Sequence, residues 1–386
     1  MKLVFVSHDS ELTGATKSML GLIRGLVKDG IDVLIILPEI GGFSEQLKLT
    51  NINFMLSGHR VNTSPLESMS WSKLKRLRLY KFKVQRFFTN ILAAYKFKTK
   101  LRKKFTPDYV ITNTSTTNFG GILSFFLGVN HIWYIREFGD LDHGFEQDFN
   151  SIFKILLQKA KQVIFISQDL ENFYIEKYNI TNTSINYNGV YDKSTLLDLH
   201  NSCDKPIDCV NFLFVGQLTK RKGIWKVINA FLKLKADYPA KLLIVGDGSE
   251  FNNIQLYINE HELEDKIELL GYQTHPDKFY RQAHSFIMAS DREAFGRTTI
   301  EAVAYNCLVI ANKQGATKEI LSEHKEAIYF DGTEENLYSR MNYFLSLKED
   351  KVQAINESAF VKVLDRFSQE ANVLNFKTIL NSWSSQ

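Results

Sequence analysis

The stretch Glu293-Ala-Phe-Gly-Arg-Thr-Thr-Ile-Glu301 places a carboxylate at each end and a glycine near its middle, with an apolar segment on either side. Before it stands Ser285-Phe-Ile-Met-Ala-Ser290, short and apolar enough for a buried strand. After it come Ala302-Val-Ala-Tyr305 and Leu308-Val-Ile-Ala311. The order reads strand, loop, helix, strand. A helix starting between Gly296 and Thr298 leaves its first N–H groups without intrahelical acceptors, and such a terminus can hold an anion such as a phosphate. The same pattern also suits an ordinary helix whose acidic flank complements the helix dipole.

The alternation recurs on the N-terminal side. Leu3 to Ser7 reads as a buried strand, followed by a polar loop through Gly14 and Ala15. Thr16 to Lys28 carries Met19, Leu20, Ile23 and Leu26 at helical spacing, Gly30 ends that helix, and Ile31 to Leu37 is the next strand. This is a βαβ unit. Gly14, late in its loop, lets a ligand approach backbone N–H groups. No G-x-G-x-x-G follows the first strand, which argues against a dinucleotide enzyme. Tyr109 to Asn113, His131 to Ile135 and Val163 to Ser167 read as further strands. Arg136, Glu137 and Asp140 follow the second of these, where open α/β sheets gather ligand contacts; an exposed Arg–Glu pair is the other reading.

Asp192 to Pro206 is polar and weakly patterned and is read as a linker. Then the pattern restarts: strand Asn211 to Gly216, a basic loop Gln217 to Gly223, helix Ile224 to Leu234, strand Lys241 to Val245, and the turn Gly246-Asp-Gly-Ser249. Two such series predict an α/β protein of two Rossmann-like, doubly wound domains, 1–192 and 193–366, facing across a cleft, with a closing helix in 367–386 packed back on the first.

The chain has 386 residues, more than one core usually serves. Its apolar fraction of 44% and charged fraction of 23% are those of a globular protein, and its net charge is only +4. No apolar run reaches spanning length, and the N-terminus turns polar after a few residues, so a cytoplasmic location is expected. Cys203, Cys209 and Cys307 show no metal-type spacing, and no metal site is expected. Trp71 to Lys104 holds thirteen Lys or Arg and no Asp or Glu. Leu74, Leu77, Val84, Phe87, Phe88, Ile91, Leu92 and Tyr95 interleave with these cations. A basic amphipathic helix suits an anionic membrane surface; a core-packed helix with a solvated basic face is the alternative. No stacking module points to nucleic acid.

In the second half, three loops close strands. Lys222, with Lys220 and Arg221 and a helix N-terminus, can clamp a diphosphate. Glu301 can accept two hydroxyl hydrogen bonds from a ribose diol, and Glu293 can do the same for sugar hydroxyls. The expected ligand is an activated sugar made of base, ribose, diphosphate and hexose.

With these features the sequence resembles the family 4 glycosyltransferases, retaining enzymes of GT-B fold, over nearly the whole chain and most strongly from Phe212 to Ile320. The E-x7-E signature is Glu293 to Glu301, and the family's G-R-L-x-x-x-K-G loop is Gly216-Gln-Leu-Thr-Lys-Arg-Lys-Gly223. V-G-x-G is Val245-Gly-Asp-Gly248, N-G-V is Asn188-Gly-Val190, and the small-residue loop is Thr13-Gly-Ala15. The resemblance implies that Glu301 holds the donor ribose. Glu293, with N–H groups near Phe295 and Gly296, would hold the donor sugar. Lys222 would neutralise the departing diphosphate, and Gly14 would let backbone approach it. Gly216, Gln217, Gly246, Asp247, Tyr272, Ala294, Arg297 and Thr298 complete the expected donor-binding set.

The implied chemistry is positioning and charge stabilisation without a metal or other cofactor. The donor phosphate takes the acceptor proton, and neither glutamate acts as a hydrolase carboxylate. Two positions depart from the family. Its loop Arg is Gln217 here, with Arg221 as the expected replacement cation. Arg136 precedes Glu137 where many relatives carry a His that contacts the donor sugar. Lys222, Glu293, Arg221 and Arg136 are thus the expected catalytic groups. The implied function is transfer of a hexose from a UDP- or GDP-sugar to a lipid-linked or cell-surface polysaccharide acceptor, peripherally at the inner face of the cell membrane. A non-catalytic GT-B subunit that stabilises or recruits a partner glycosyltransferase is the alternative from another class, and a sugar-nucleotide epimerase of the same fold is a third.

Overall fold

The structure, a computed structural model, describes residues 1–66, 70–202, 205–206, 208–234, 239–321 and 327–384. Cys203 lies outside them. The chain divides into two units, Met1–Gly189 with Asn372–Gln386, and Val190–Ala371.

Unit 1 contains β1 (Lys2–Val6), β2 (Asp32–Leu37), β3 (Phe54–Leu56), β4 (Thr63–Pro65), β5 (Tyr109–Thr112), β6 (Asn130–Ile135), β7 (Phe145–Gln147), β8 (Gln162–Phe165) and β9 (Thr183–Ile185). Seven of them form one parallel sheet in the order β3-β2-β1-β5-β6-β8-β9, and β4 and β7 pair as a separate antiparallel ribbon. Central strands read as unbroken apolar runs because helices cover both faces of a parallel sheet. Leu3 to Val6 and Val110 to Ile111 are accordingly fully buried. The C-terminal helix Gln369–Ser384 packs its Phe376 ring against Phe5 and Tyr134 of this sheet.

Unit 2 contains β10 (Val210–Val215), β11 (Ala240–Val245), β12 (Ile267–Leu269), β13 (Ser285–Met288), β14 (Leu308–Asn312) and β15 (Ile328–Phe330). All run parallel, in the order β12-β11-β10-β13-β14-β15. The order reverses between β10 and β13, which is the topological switch point where such sheets bind ligands. Phe212, Leu242, Ile244, Ile287 and Ile310 fill its core.

The structure corrects two local expectations. Residues 193–200 of the expected linker form a helix, because the Asp192 carboxylate caps the Thr195 N–H at 2.8 Å and Leu196 is buried. Gly14 and Ala15 open the helix Gly14–Lys28 instead of ending the loop before it, with Thr13 as N-cap.

The basic segment is a single helix, Lys73–Arg102. Its core side is Ala94, Phe97 and Leu101 with Asn90, and none of the eight apolar residues that define the sequence pattern is buried. Leu74 is 61% exposed and Phe88 57%. With Leu77, Leu92 and Tyr95 they recur at helical spacing along one outward face. The neighbouring helix Phe119–Leu127 adds Phe125, 81% exposed.

Unit 1 also buries two neutral imidazoles. His59 lies between the Ser57 hydroxyl (2.6 Å) and the Ser7 carbonyl (2.9 Å), and His131 meets the Thr112 hydroxyl at 2.8 Å. Burial pushes His59 down to about 4 and His131 to about 3. Above pH 6.5 both are neutral whether the chain is folded or not. Below it the unfolded chain takes up protons that the native state refuses, so their contribution is lost as pH falls toward the native values. The expected loss is roughly 3 to 5 kcal/mol per histidine once the fall is complete. Urea midpoints measured from pH 7 to pH 4 should drop accordingly; a flat profile would contradict neutral burial.

Candidate active site

The candidate site is built from loops at the C-terminal ends of β10, β11, β12 and β13. Gly246 ends β11 with φ 146°, and a Cβ there would stand 1.8 Å from the Gly216 carbonyl oxygen at the end of β10. Only a residue without a side chain permits that approach. The Gly216 N–H donates to Val245 O (3.0 Å), the Leu218 N–H to Asp247 O (2.9 Å), and the Gly246 N–H to Gly271 O (2.9 Å). Residues 216–218, 246–248 and 271 are thereby laced together, and Tyr272, 75% exposed, follows directly.

Lys220–Lys222 forms one 3-10 turn after β10. The Lys222 Nζ lies 2.6 Å from Glu293 Oε1, and the Ser290 hydroxyl donates to the same oxygen at 2.6 Å. The Asp291 N–H donates to Arg221 O at 3.0 Å, and Lys226 pairs with Asp291 at 2.6 Å. These contacts hold the loop before the helix against the basic turn. Gly296, at φ 92°, starts the helix Arg297–Ala304. One turn in, Glu301 accepts from Arg297 Nε at 2.9 Å on one oxygen and from the Tyr280 hydroxyl at 3.1 Å on the other. The Tyr280 hydroxyl is held well above the usual phenol range by burial and by the Glu301 charge, so it stays a donor.

Each signature glutamate therefore carries its own cation and its own hydroxyl. The side chains are oriented, yet each carboxylate keeps lone pairs for ligand hydroxyls. The first-turn N–H groups of Arg297 and Thr298 have no intrahelical acceptor. A cation, two fixed carboxylates and a helix N-terminus on one wall can bind a group that pairs hydroxyls with an anion.

Among the expected residues, Gly216, Gln217, Arg221, Lys222, Gly246, Asp247, Tyr272, Glu293 to Thr298 and Glu301 belong to these loops and the helix start of unit 2. Gln217 and Arg221 are exposed, whereas the Ala294 and Phe295 side chains are buried and Phe295 packs on Phe367. Gly14 and Arg136 belong to unit 1. A Cβ at Gly14 would meet nothing within 4 Å.

Arg136 is not in a surface ion pair. It is 7% exposed, its guanidinium donates to Asn113 Oδ1 (2.8 Å) and Asn188 Oδ1, and it lies over the Tyr134 ring at 4.2 Å. Burial lowers its pKa, opposed by Tyr134 and Glu137. Glu137 turns instead to Thr114 and Ser115, accepting both hydroxyls and the Ser115 N–H. Asn188, read in sequence as the first residue of the N-G-V stretch, thus anchors Arg136.

Two orienting residues escaped the sequence reading, Tyr280 and Ser290. Tyr280 sits in the short helix Asp277–Gln282, where an aromatic residue reads as core, and its contact with Glu301 arises only on folding. Ser290 is three residues from its partner and ends the apolar run that reads as a strand.

Residues 12–193 match the family described as Glycosyltransferase Family 4, and residues 202–360 that of Glycosyl transferases group 1. An uncharacterized glycosyltransferase of Methanocaldococcus jannaschii is 39% identical over 105 residues, 27% of this chain and 26% of that protein. The N-acetylgalactosamine-N,N'-diacetylbacillosaminyl-diphospho-undecaprenol 4-alpha-N-acetylgalactosaminyltransferase of Campylobacter jejuni is 31% identical over 147 residues, 36% of this chain and 40% of that protein. These matches span less than half the length of each relative. The crystal structure of Anabaena Alr3699/HepE in complex with UDP superposes with a TM-score of 0.76 at 19% identity, covering 99% of this chain and 100% of that one. A glycosyltransferase from Rickettsia africae gives 0.76 at 20% identity, covering 98% and 97%. At such identities the likeness is one of fold. The two family matches together take in most of the chain, which belongs to the glycosyl transferases of group 1 and family 4 and has their two-domain GT-B fold.

Proposed function

We propose that the chain is a retaining, metal-independent hexosyltransferase that moves a sugar from a UDP- or GDP-sugar to a lipid-linked or cell-surface polysaccharide acceptor. The observation that carries this reading is the paired arrangement of Lys222 with Glu293 and Arg297 with Glu301 on one wall of unit 2. Glu301 holds the ribose and Glu293 the donor hexose. Lys222, held by Glu293 at 2.6 Å, supplies the charge that faces the donor diphosphate. Charge stabilisation of the leaving phosphate by a preorganised cation is the main catalytic device open to this site. The name of the Campylobacter relative, with its diphospho-undecaprenol acceptor, supports a lipid-linked acceptor.

A thermal-shift series tests donor binding. UDP or GDP at about a hundred times Kd should stabilise the chain by roughly 2.7 kcal/mol, ADP less, and Glu301→Ala should abolish the shift. Radiolabelled UDP- and GDP-sugars with membrane lipid extract then test transfer. Neither transfer nor donor hydrolysis with any donor would sink the enzyme reading. A non-catalytic subunit is the second reading, favoured by the exposed Gln217 in place of a phosphate-facing Arg. It loses if the wild type binds a nucleotide diphosphate tightly and Glu301→Ala does not.

The same reading places the helix Lys73–Arg102 against an anionic membrane. Its support is the outward apolar stripe beside Phe125 with cations around it; Lys98 lies over the Tyr95 and Phe126 rings at 4.7 and 5.5 Å. Among the described residues no helix is long and apolar enough to cross a membrane. The chain should sediment with vesicles containing phosphatidylserine, and release as salt rises. Equal binding to neutral vesicles would contradict the electrostatic part.

A further inference from the structure

The two donors that hold the Glu301 carboxylate differ in stiffness. Arg297 Nε reaches Oε1 at 2.9 Å from one turn earlier on the same helix, and its side chain is 27% exposed. An i,i+4 pair of this kind joins two flexible side chains weakly. The Tyr280 hydroxyl reaches Oε2 at 3.1 Å from a different element, the helix Asp277–Gln282, and its residue is fully enclosed.

Tyr280 is fixed on several sides. Its ring stacks on Tyr305, with centroids 5.5 Å apart and planes 4° from parallel, and lies 5.9 Å from the Phe286 ring. Tyr305 is itself buried, and its hydroxyl donates at 2.5 Å to Asp277 Oδ1, at the start of the helix that carries Tyr280. The Cys307 thiol donates to the Tyr280 carbonyl at 3.2 Å. An aromatic side chain has few torsions to lose, so a packed ring of this kind places its polar tip firmly.

The consequence falls on Glu301. An ionised carboxylate has about four lone-pair sites, two on each oxygen. The protein takes one on each, which leaves one on each for a ligand. With the arginine alone, on one oxygen, the carboxylate could turn about its terminal torsion, which has a broad minimum. The phenol on the second oxygen stops that turn. Both remaining acceptor sites then keep their directions, and two neighbouring acceptors with fixed directions match two neighbouring hydroxyls, the cis-diol of a ribose.

We infer that Tyr280 is the positioning residue that gives this site its preference for ribose over deoxyribose. The inference rests on the reading in which Glu301 holds the donor ribose, and Tyr280 acts only through that carboxylate.

The test is calorimetric titration of the full chain with UDP, GDP and their 2′-deoxy forms. The wild type should bind its preferred diphosphate roughly 10- to 100-fold more tightly than the 2′-deoxy form, the scale of one hydrogen bond to a charged group. Tyr280→Phe keeps the ring and its aromatic neighbours and removes only the donor. It should weaken the ribonucleotide about tenfold and the 2′-deoxy form by no more than about threefold, so that the preference shrinks. Tyr305→Phe removes a hydroxyl from the same stack without touching Glu301. It should keep the wild-type preference even where its melting midpoint falls. Both ligands are titrated into one preparation, so an unfolded fraction changes the stoichiometry and not the ratio of affinities. A wild-type ratio in Tyr280→Phe overturns the inference and leaves the Glu301 reading standing. An equal loss of preference in both variants overturns it in favour of packing alone. A wild type that binds neither diphosphate, or binds ribose and deoxyribose forms alike, sinks the Glu301 reading and the inference with it.

Discussion

Replacing Lys222 by Met should lower the rate of the proposed sugar transfer by roughly 10²- to 10³-fold, the usual scale for removing one preorganised group that stabilises charge in the transition state. The fold should be barely affected. Lys222 lies in a one-turn segment at the surface, and its pair with Glu293 is partly exposed. Such pairs contribute about 0–1 kcal/mol, and Glu293 keeps the Ser290 hydroxyl when the ammonium is gone. The measurement is kcat with a fixed nucleotide-sugar, beside a melting curve and a UDP-binding isotherm. A loss concentrated in kcat assigns Lys222 to the departing diphosphate. A loss in donor KM alone would make it a binding residue. A change of less than a few fold would move the charge stabilisation elsewhere, with Arg221 the first candidate.

Gly246→Ala is the second large effect, and it acts through the backbone. The new methyl would stand 1.8 Å from the Gly216 carbonyl oxygen, a distance no heavy-atom pair tolerates, at a φ of 146° that side chains avoid. Neither partner can swing aside, because both are backbone directly after the ends of adjacent parallel strands, with Gly216 N–H held by Val245 O. Relief requires the β10 and β11 ends to part, so Leu218 N–H loses Asp247 O and the basic turn loses its footing. The expected cost is about 3 kcal/mol or more, with a lower unfolding midpoint for unit 2 and no nucleotide-induced stabilisation. Ala at Gly14, where nothing lies within 4 Å, is the control and should leave stability nearly unchanged. A Gly246→Ala protein with wild-type melting and nucleotide binding would show that the two loops need not touch.

Much of the candidate site was legible because it lies in short, contiguous stretches. Lys222 and Gly223, Gly246 to Gly248, and Glu293 to Glu301 each follow a strand, and a strand's end fixes which sheet edge its loop reaches. Pairings between stretches were not legible. Nothing in the sequence joins Tyr280 to Glu301, or sets Lys222 on Glu293 instead of leaving it free for an anion. Arg136 is the sharpest case. As a strand-end residue beside Glu137 it could pair locally; in the folded chain it is buried on Tyr134 and taken by two asparagines from other strand ends. Helix Lys73–Arg102 divides the same way. Its cations and apolar residues were visible as a pattern, but Ala94, Phe97 and Leu101 took the core side and left Leu74, Phe88 and Leu92 outward.

The sequence by itself determined the two βα series, the parallel sheets and the loops that carry the signature residues. Apolar periodicity, glycines and strand ends are local properties, and local properties survive in a linear string. Only the tertiary structure decided which charge faces which, which aromatic orients a carboxylate, and where an outward apolar stripe remains. Those outcomes depend on contacts between residues far apart in the chain, where burial and geometry, not composition, set the energy of each pair.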